Sequence, residues 1–291
     1  MAIVTGLQFG KYETVAQDDY TTQYFIDYKS ERLKVLNYQG NVEKVIKNSL
    51  ELCGKYGLGK IYATAREEDH QIYLDHGFVD EAIIDGYFKG DTGYNVSFFY
   101  DLARKASLKI NEEDEILENA KKHAKEYTPL EKSEFHIRTA SIKDAEALAQ
   151  LYDRVFATYP TPMHKAEYIK NVMSNNKGFF KIAEDSGRIV SAASAELNHE
   201  YLNAEITDCA TASEYRGKGL LSELVSELEN SLRRRSFGVL FSIARAISPG
   251  INIVFSKHGY TFAGRQISHS YIMGSFEDMN IWVKQISRYL H

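Results

Sequence analysis

Hydrophobic and polar positions along this chain alternate in short runs, interrupted by a few stretches of helical spacing. After a mixed opening, Arg32–Tyr38 (RLKVLNY) alternates as a strand. Gly40–Asn41 breaks it, and Asn41 is placed to cap a helix whose apolar residues Val42, Val45, Ile46, Leu50 and Cys53 share one face. Lys60–Ala65 (KIYATA) reads as the next strand. A short polar helix ending at His76–Gly77 follows, then two strands rich in aromatic and β-branched residues, FVDEAIIDGYFKG and GYNVSFFYD. Asn111 is expected to cap a helix through EEDEILENAKKHAKEY, with acids in its first turn, Lys121, Lys122 and Lys125 later, and Pro129 as its end.

The pattern then restarts with a strand, FHIRTA. Ser141 and Asp144 have capping-box spacing ahead of a helix with Leu148, Leu151, Tyr152, Val155 and Phe156 on one face, which Tyr159-Pro-Thr-Pro162 terminates. A hairpin turning at Ser186–Gly187 joins FFKIAED to RIVSAASAEL, and the strand NAEITDCAT runs straight into Tyr215-Arg-Gly-Lys-Gly-Leu220. Leu220, Leu221, Leu224, Val225, Leu228 and Leu232 then form the clearest helical stripe in the chain. Strand GVLFSIARA, a helix opened by Asn252 and two closing strands complete an order β-α-α-β-β-β-α-β-α-β-β, which argues for an α/β fold on a mixed sheet.

Two units are therefore expected, residues 1–108 and 134–291, joined by a linker helix within 109–133; 291 residues suffice for two domains. A weak internal repeat relates them. Ala65-Arg66, His76-Gly-Phe78 and Gly86-Tyr-Phe-Lys-Gly90 recur in order as Ala244-Arg245, His258-Gly-Tyr260 and Ser270-Tyr-Ile-Met-Gly274. Either similar supersecondary units match by chance, or the first unit is a decayed copy of the second's C-terminal half.

Composition narrows the function classes. Apolar residues make up 44% and charged residues 26%, so real cores are available and a disordered chain is excluded. A net charge of −5 offers no polybasic field to nucleic acid, and Arg233-Arg-Arg235 reads as a solvated helix end. No window approaches the roughly 20 apolar residues of a membrane span. The opening MAIVTGLQFGKYETVAQDDY is not built like a secretory signal, and Cys53 and Cys209 form no CxxC pair, so the expected compartment is the cytoplasm. The nine histidines show no paired metal spacing, no metal is expected, and no GxSxG elbow suggests a serine nucleophile.

Chemistry concentrates at Arg216-Gly-Lys-Gly219, between a strand and an amphipathic helix. Its glycines permit a tight turn, the helix N-terminus presents N–H groups, and Arg216 and Lys218 add charge, which together suit a pyrophosphate. A solvated glycine-rich turn is the alternative. The GxxxxGK[ST] and GxGxxG spacings are both missing.

Strand, RGxG loop, helix, strand and the Asn252 helix ending in Lys257-His-Gly-Tyr260 resemble the GNAT acetyltransferase superfamily over about residues 134–291. The resemblance implies a GNAT fold for that unit, preceded by a degenerate, partial GNAT-like domain. It implies acetyl-CoA as donor, its pyrophosphate on Arg216, Gly217, Lys218, Gly219, Leu220 and Leu221. Its pantetheine arm would lie along Cys209, Ala210 and Thr211, with Asn252 and Phe255 on the following helix also near it. The tyrosine that often protonates the departing thiolate in that superfamily is replaced by Phe255. Tyr159-Pro-Thr-Pro162, Ala204-Glu-Ile-Thr-Asp-Cys-Ala-Thr211, Ile243-Ala-Arg-Ala246 and Met279-Asn-Ile-Trp-Val-Lys284 together look like the beta-lysine N6-acetyltransferase family, over the whole chain. That family acetylates the terminal amine of beta-lysine to make an osmolyte. Its members often carry Asn-Asn where this chain has Ser268–His269.

Glu205 and Asp208 lie three apart on one strand, so alternation sends them to opposite faces and at most one into the cleft. Asp208 is the first choice to hold a cationic acceptor and Glu205 the rival base. Arg245, ending the next strand, is expected either to clamp the acceptor carboxylate or to form a plain salt bridge. Tyr159 and Asn280 are acceptor candidates through the resemblance alone. Catalysis would be direct attack of the amine on the thioester. The alternatives are another small diamine or a protein lysine as acceptor, or a non-catalytic acetyl-CoA sensor; a homodimer is left open.

Overall fold

The computed structural model describes residues 9–129 and 134–287. The first eight residues of the opening, residues 130–133 of the expected linker and the last four residues lie outside them.

The first unit begins with strands β1 (Gly10–Ala16), β2 (Tyr20–Asp27) and β3 (Arg32–Gly40), then α1 (Val42–Lys55), β4 (Lys60–Ala65), α2 (Glu67–Asp75), β5 (Val79–Phe88) and β6 (Asp91–Phe99). Asn41 caps α1 through a 3.1 Å bond from the Lys44 N–H, as its spacing predicts. The mixed opening is two strands, β1 and β2, whose alternation is blurred because β1 is half-buried along its length. Helix α3 (Ile110–Lys122) follows. Asn111 does not cap it; the ladder starts two residues earlier, with Glu113 N–H bonded to the Lys109 carbonyl. Nor does α3 run to Pro129, because the chain leaves it to bond Lys125 and Tyr127 N–H to the Ser256 and Lys257 carbonyls.

The second unit is β7 (His136–Thr139), α4 (Ala145–Val155), α5 (Ala166–Ser174), β8 (Gly178–Asp185), β9 (Arg188–Asn198), β10 (Asn203–Thr211), α6 (Leu220–Arg234), β11 (Val239–Arg245), α7 (Pro249–Lys257), β12 (Thr261–Ile272) and β13 (Ser275–Gln285). This is the order read from the pattern. The Ser141–Asp144 capping box is present, on a short 3₁₀ turn ahead of α4. Helix α7 starts at Pro249 rather than Asn252, since a first-turn proline loses no hydrogen bond.

The thirteen strands of the described residues join one sheet, in the order β1-β2-β3-β4-β6-β5-β12-β13-β11-β10-β9-β8-β7. The order reads as two copies of one pattern meeting at β5 and β12. In each copy a parallel pair (β3 with β4, β10 with β11) is flanked by the same antiparallel neighbours. The sequence repeat falls on equivalent places: Gly77 and Gly259, both at positive φ, end α2 and α7, and Gly90 and Gly274 turn the two closing hairpins. Among the described residues the first unit repeats the second from β8 onward, without counterparts of β7, α4 and α5. At the seam a Cβ on Gly264 would fall 2.6 Å from the Ala82 Cα and against Glu81 O, so only glycine fits there.

Each copy buries its own core. Leu224, Val225, Leu228 and Leu232 of α6 pack with Ile206, Leu240, Phe255 and Trp282, while Val45 and Ile46 of α1 pack with Ile26, Leu33 and Ile61. The stripe predicted for α6 is therefore the face on the sheet.

Candidate active site

Strands β10 and β11 pair only from Asn203–Val239 to Glu205–Phe241 and then part, β11 staying with β13 and β10 with β9. Parallel strands that separate leave an unpaired edge of backbone N–H and C=O groups, which needs a partner. Here that edge opens on a cavity of about 820 Å³. Both halves of the chain line it: β10, the 215–221 loop, α7 and the Tyr159 segment on one side, and β1, β2, β3 and β4 on the other.

Of the residues singled out in the sequence, Tyr159, Glu205, Asp208, Cys209, Thr211, Arg216, Gly217, Gly219, Leu220, Leu221 and Arg245 line this cavity. Gly217 (φ 77°) and Gly219 (φ 76°) take left-handed backbone, and Gly219 is the residue at which α6 begins. Alternating left-handed positions at a helix start turn successive N–H groups outward into an anion-binding concavity. Lys257 also lines the cavity. Lys218 does not; it is exposed, its ammonium 5.0 Å from the Tyr215 ring centroid.

Four other candidates are buried away from the cavity. Ala210 packs into the core beside α4. Asn252 donates to the Arg245 and Ser248 carbonyls and accepts from Asn280 Nδ2 and Trp282 Nε1, both at 2.9 Å, so Asn252 and Asn280 form one satisfied internal network. Phe255 packs edge-on against Tyr260 and offers no proton to a thiolate.

Glu205 and Asp208 share the cavity, contrary to simple alternation. The β9–β10 register skips between Thr207 and Ala210, and Asp208 sits at φ 50°, so a bulge returns its side chain to the face of Glu205. Asp208 accepts 2.7 Å bonds, from Ser194 Oγ on its carboxylate and from Tyr152 on its backbone carbonyl. Burial pushes the Asp208 carboxyl up to about 6; Glu196 adds to the rise, and bonds from Ser194 and Tyr159 hold it back. Burial likewise drives Glu205 up to about 8, with Glu196 and Asp208 raising it and Lys34 opposing. Tyr159 is partly buried against Phe156 and stays protonated, its hydroxyl held up by desolvation and the nearby Asp208.

Arg245 faces Glu277 across the β11–β13 pair. Its Nε and Nη2 bond the two carboxylate oxygens at 2.6 and 2.7 Å, so the plain salt bridge is what forms and the fork is already filled.

The first unit's share of the wall was not anticipated from sequence. Arg32, Lys34 and Tyr62 reach the cavity, and His269 joins them from a bulge of β12. That bulge is pinned from the first unit: Lys60 bonds Ile267 O (2.7 Å), Glu81 accepts from Ile267 N (2.7 Å), and Arg104 bonds Ser268 O (2.5 Å). Such a contribution has no sequence signature, since it depends on how the two units meet. In the first unit the equivalent parting of β3 from β4 leaves only about 20 Å³, among Tyr38, Arg66, Tyr87, Phe88 and Tyr201. Among the described residues no group of three or more His, Cys, Asp or Glu side chains could hold a metal ion, and no helix is long and apolar enough to cross a membrane.

Residues 145–248 match the Acetyltransferase (GNAT) family. The beta-lysine N(6)-acetyltransferase of Methanococcus maripaludis is 32% identical over 256 residues, covering 88% of this chain and 93% of its own length. The beta-lysine N(6)-acetyltransferase of Methanosarcina mazei is 34% identical over 86% of this chain and 100% of its own. An N-acetyltransferase of Bacillus subtilis, YodP, is 35% identical over 88% of this chain and 93% of its own. The solved structure of yncA from Salmonella typhimurium, with its cofactor acetyl-CoA, is 16% identical with a TM-score of 0.48 over 55% of this chain and 98% of its own. The chain belongs to the GNAT acetyltransferases, in the beta-lysine N(6)-acetyltransferase family, and is an acetyl-CoA-dependent N-acetyltransferase.

Proposed function

We propose that this enzyme acetylates the terminal (N6) amine of beta-lysine, and that residues 1–108 and 134–291 act as two units closing on one acceptor pocket. The carrying observation is that the free edge of β10 opens on the same cavity as two carboxyls, Glu205 and Asp208, shifted upward by burial. Relatives named for beta-lysine at 32% and 34% identity, matched along nearly their whole length, support the choice of acceptor.

The residues fit acetyl-CoA. The Arg216–Leu221 loop would take the pyrophosphate on its outward N–H groups and on Arg216, and the edge at Cys209–Thr211 would pair with the pantetheine arm. Bound there, acetyl-CoA supplies an activated acyl thioester. The acceptor's ammonium, with an ordinary pKa near 10.4, must lose a proton before it can attack. Asp208, at about 6, is ionised near neutrality and close to the ideal for a general base; Glu205, at about 8, retains a proton until a cation arrives beside it. Asp208 and Cys209 lie in the register gap, outside the β9–β10 ladder, and their N–H groups would serve a developing oxyanion.

The test is thiol release from acetyl-CoA with beta-lysine, α-lysine, simple diamines and lysine peptides. Beta-lysine should give the highest kcat/KM. Preference for a peptide would reject the small-molecule reading, and acetyl-CoA binding without any turnover would favour a sensor.

A further inference from the structure

We propose that the first half of the chain holds the acceptor's carboxylate, through the Lys34 ammonium on β3. The inference rests on the amine-acetyltransferase reading above and names who recognises the other end of the substrate. Arg245 holds Glu277 through Nε and Nη2, so its charge is already matched, and a second cation suits the acceptor's carboxylate better.

Three groups in the cavity wall surround one ring. The Tyr62 ring centroid lies 5.2 Å from the Arg32 guanidinium, 5.7 Å from the Lys34 ammonium and 4.6 Å from the His269 ring centroid. Arg32 is committed: its Nε bonds Asp27 at 2.9 Å, and its Nη1 bonds the His269 carbonyl at 2.9 Å and Ser270 Oγ at 3.2 Å. It is a fixed positive backing. Lys34 forms no hydrogen bond or ion pair within 4 Å with any described residue, although it lines the cavity. His269 is 1% exposed, and its Nδ1 has no hydrogen-bond partner. Burial and the surrounding cations keep its imidazole neutral. An unbonded cation on the cavity wall is costly in the empty pocket, and an incoming carboxylate would satisfy it.

The opposite charge lies across the same space. Glu196 and Glu205 are near enough to Lys34 to raise its pKa, after the larger effect of Tyr62 and against burial. Beta-lysine carries a carboxylate and an ammonium on neighbouring carbons, with the reacting amine at the other end. A wall holding Lys34 beside Glu196 and Glu205 matches that adjacent pair, while Asp208 stays near the thioester edge. Tyr12, Phe25 and Leu36 supply apolar surface for the methylenes. A diamine lacking the carboxylate leaves Lys34 unpaired and should be rejected.

The experiment measures kcat/KM with acetyl-CoA for four acceptors: beta-lysine, α-lysine, and their decarboxylated counterparts 1,4-diaminopentane and 1,5-diaminopentane. Wild type, Lys34→Met and Lys34→Arg are compared, with thermal melts and acetyl-CoA Kd measured alongside. Wild type should favour the amino acids. Lys34→Met should lose on the order of 100-fold on them and only a few-fold on the diamines, with acetyl-CoA affinity retained. Lys34→Arg should keep most of the preference. If Lys34→Met stays folded and discriminates as wild type does, or if wild type favours the diamines, the proposal is overturned. Turnover of α-lysine but not beta-lysine would instead overturn the acceptor assignment, with the Lys34 comparison still read on α-lysine. No turnover of any acceptor rejects both.

Discussion

Glu205 and Asp208, three residues apart on β10, open into the same cavity because Asp208 takes a left-handed backbone at a bulge. Without that bulge one carboxyl would point to the opposite face of the sheet. Two carboxyls crowded with Glu196 in a buried space cannot all be ionised cheaply, so their pKa values separate to about 8 and about 6. The separation assigns them different protonation states near neutrality.

The crowding has a stability signature. Glu205 binds its proton more tightly folded, at about 8, than at its ordinary 4.5. The folded state therefore holds a proton that the unfolded chain releases across that window, and stability falls as pH rises through it. Glu205→Gln removes the dependence. From pH 5 to pH 9 its unfolding free energy should gain on wild type, by an amount on the order of 1–3 kcal/mol, read as a rising difference in melting temperature. Parallel melting curves across that range would show that Glu205 titrates normally.

The loop gives a second expectation. Gly219 is left-handed at the start of α6, and aspartate tolerates that conformation better than most residues. Gly219→Asp should fold, yet lose at least about 100-fold in acetyl-CoA affinity, because a carboxylate then faces the pyrophosphate. Isothermal titration with unchanged affinity in a folded variant would remove the loop from the donor site.

Of the two expectations its sequence position allowed, Arg245 follows the salt bridge. With Glu277 across its fork, Arg245→Met should cost about 1 kcal/mol of stability and leave Glu277 unpaired. Arg245→Met with Glu277→Gln should recover much of that loss, and kcat/KM for the acceptor should change little in either. A large, selective rise in acceptor KM would return Arg245 to the acceptor site.

The alternating and helical patterns gave the element order of the second unit because each α face and strand face packs on one shared core, and burial is what periodicity records. The glycine turn at Gly217 and Gly219 was legible for the same local reason, since left-handed turns need glycine at fixed offsets. What escaped was non-local. The bulge at Asp208 breaks alternation with a non-glycine residue, and the strand pattern carries no mark of it. Asn252 and Asn280 read as site residues, whereas they satisfy one another deep in the core. Lys34 and His269 reach the cavity only because β5 and β12 join the two halves into one sheet.

That joined architecture predicts the donor stoichiometry. The first unit repeats the parting of two parallel strands, but Arg66 fills it, stacked 4.4 Å from the Phe88 ring centroid and bonded to Tyr201 at 3.1 Å. Its turn at Gln39-Gly-Asn41 offers one glycine and no cation. Calorimetry should therefore find one acetyl-CoA per chain. A second site that survives Gly219→Asp would place a donor in the first unit.

Asp208 carries the remaining prediction. If it takes the acceptor's proton, kcat/KM should rise with pH through a limb near 6, where the carboxyl ionises. Ser194 holds that value down by donating to Oδ2 at 2.7 Å. Ser194→Ala removes the stabilisation of the ionised form, so the limb should move to higher pH, by about one unit if the bond contributes about 1.4 kcal/mol. On that reading Asp208→Asn should lower kcat/KM on the order of 100-fold or more while leaving acetyl-CoA affinity near normal. The measurement is a pH–rate profile for wild type, both variants and Glu205→Gln with one acceptor. A limb that ignores Ser194→Ala but vanishes in Glu205→Gln would transfer the base to Glu205, and the bulge at Asp208 would then serve to position the strand edge rather than to move a proton.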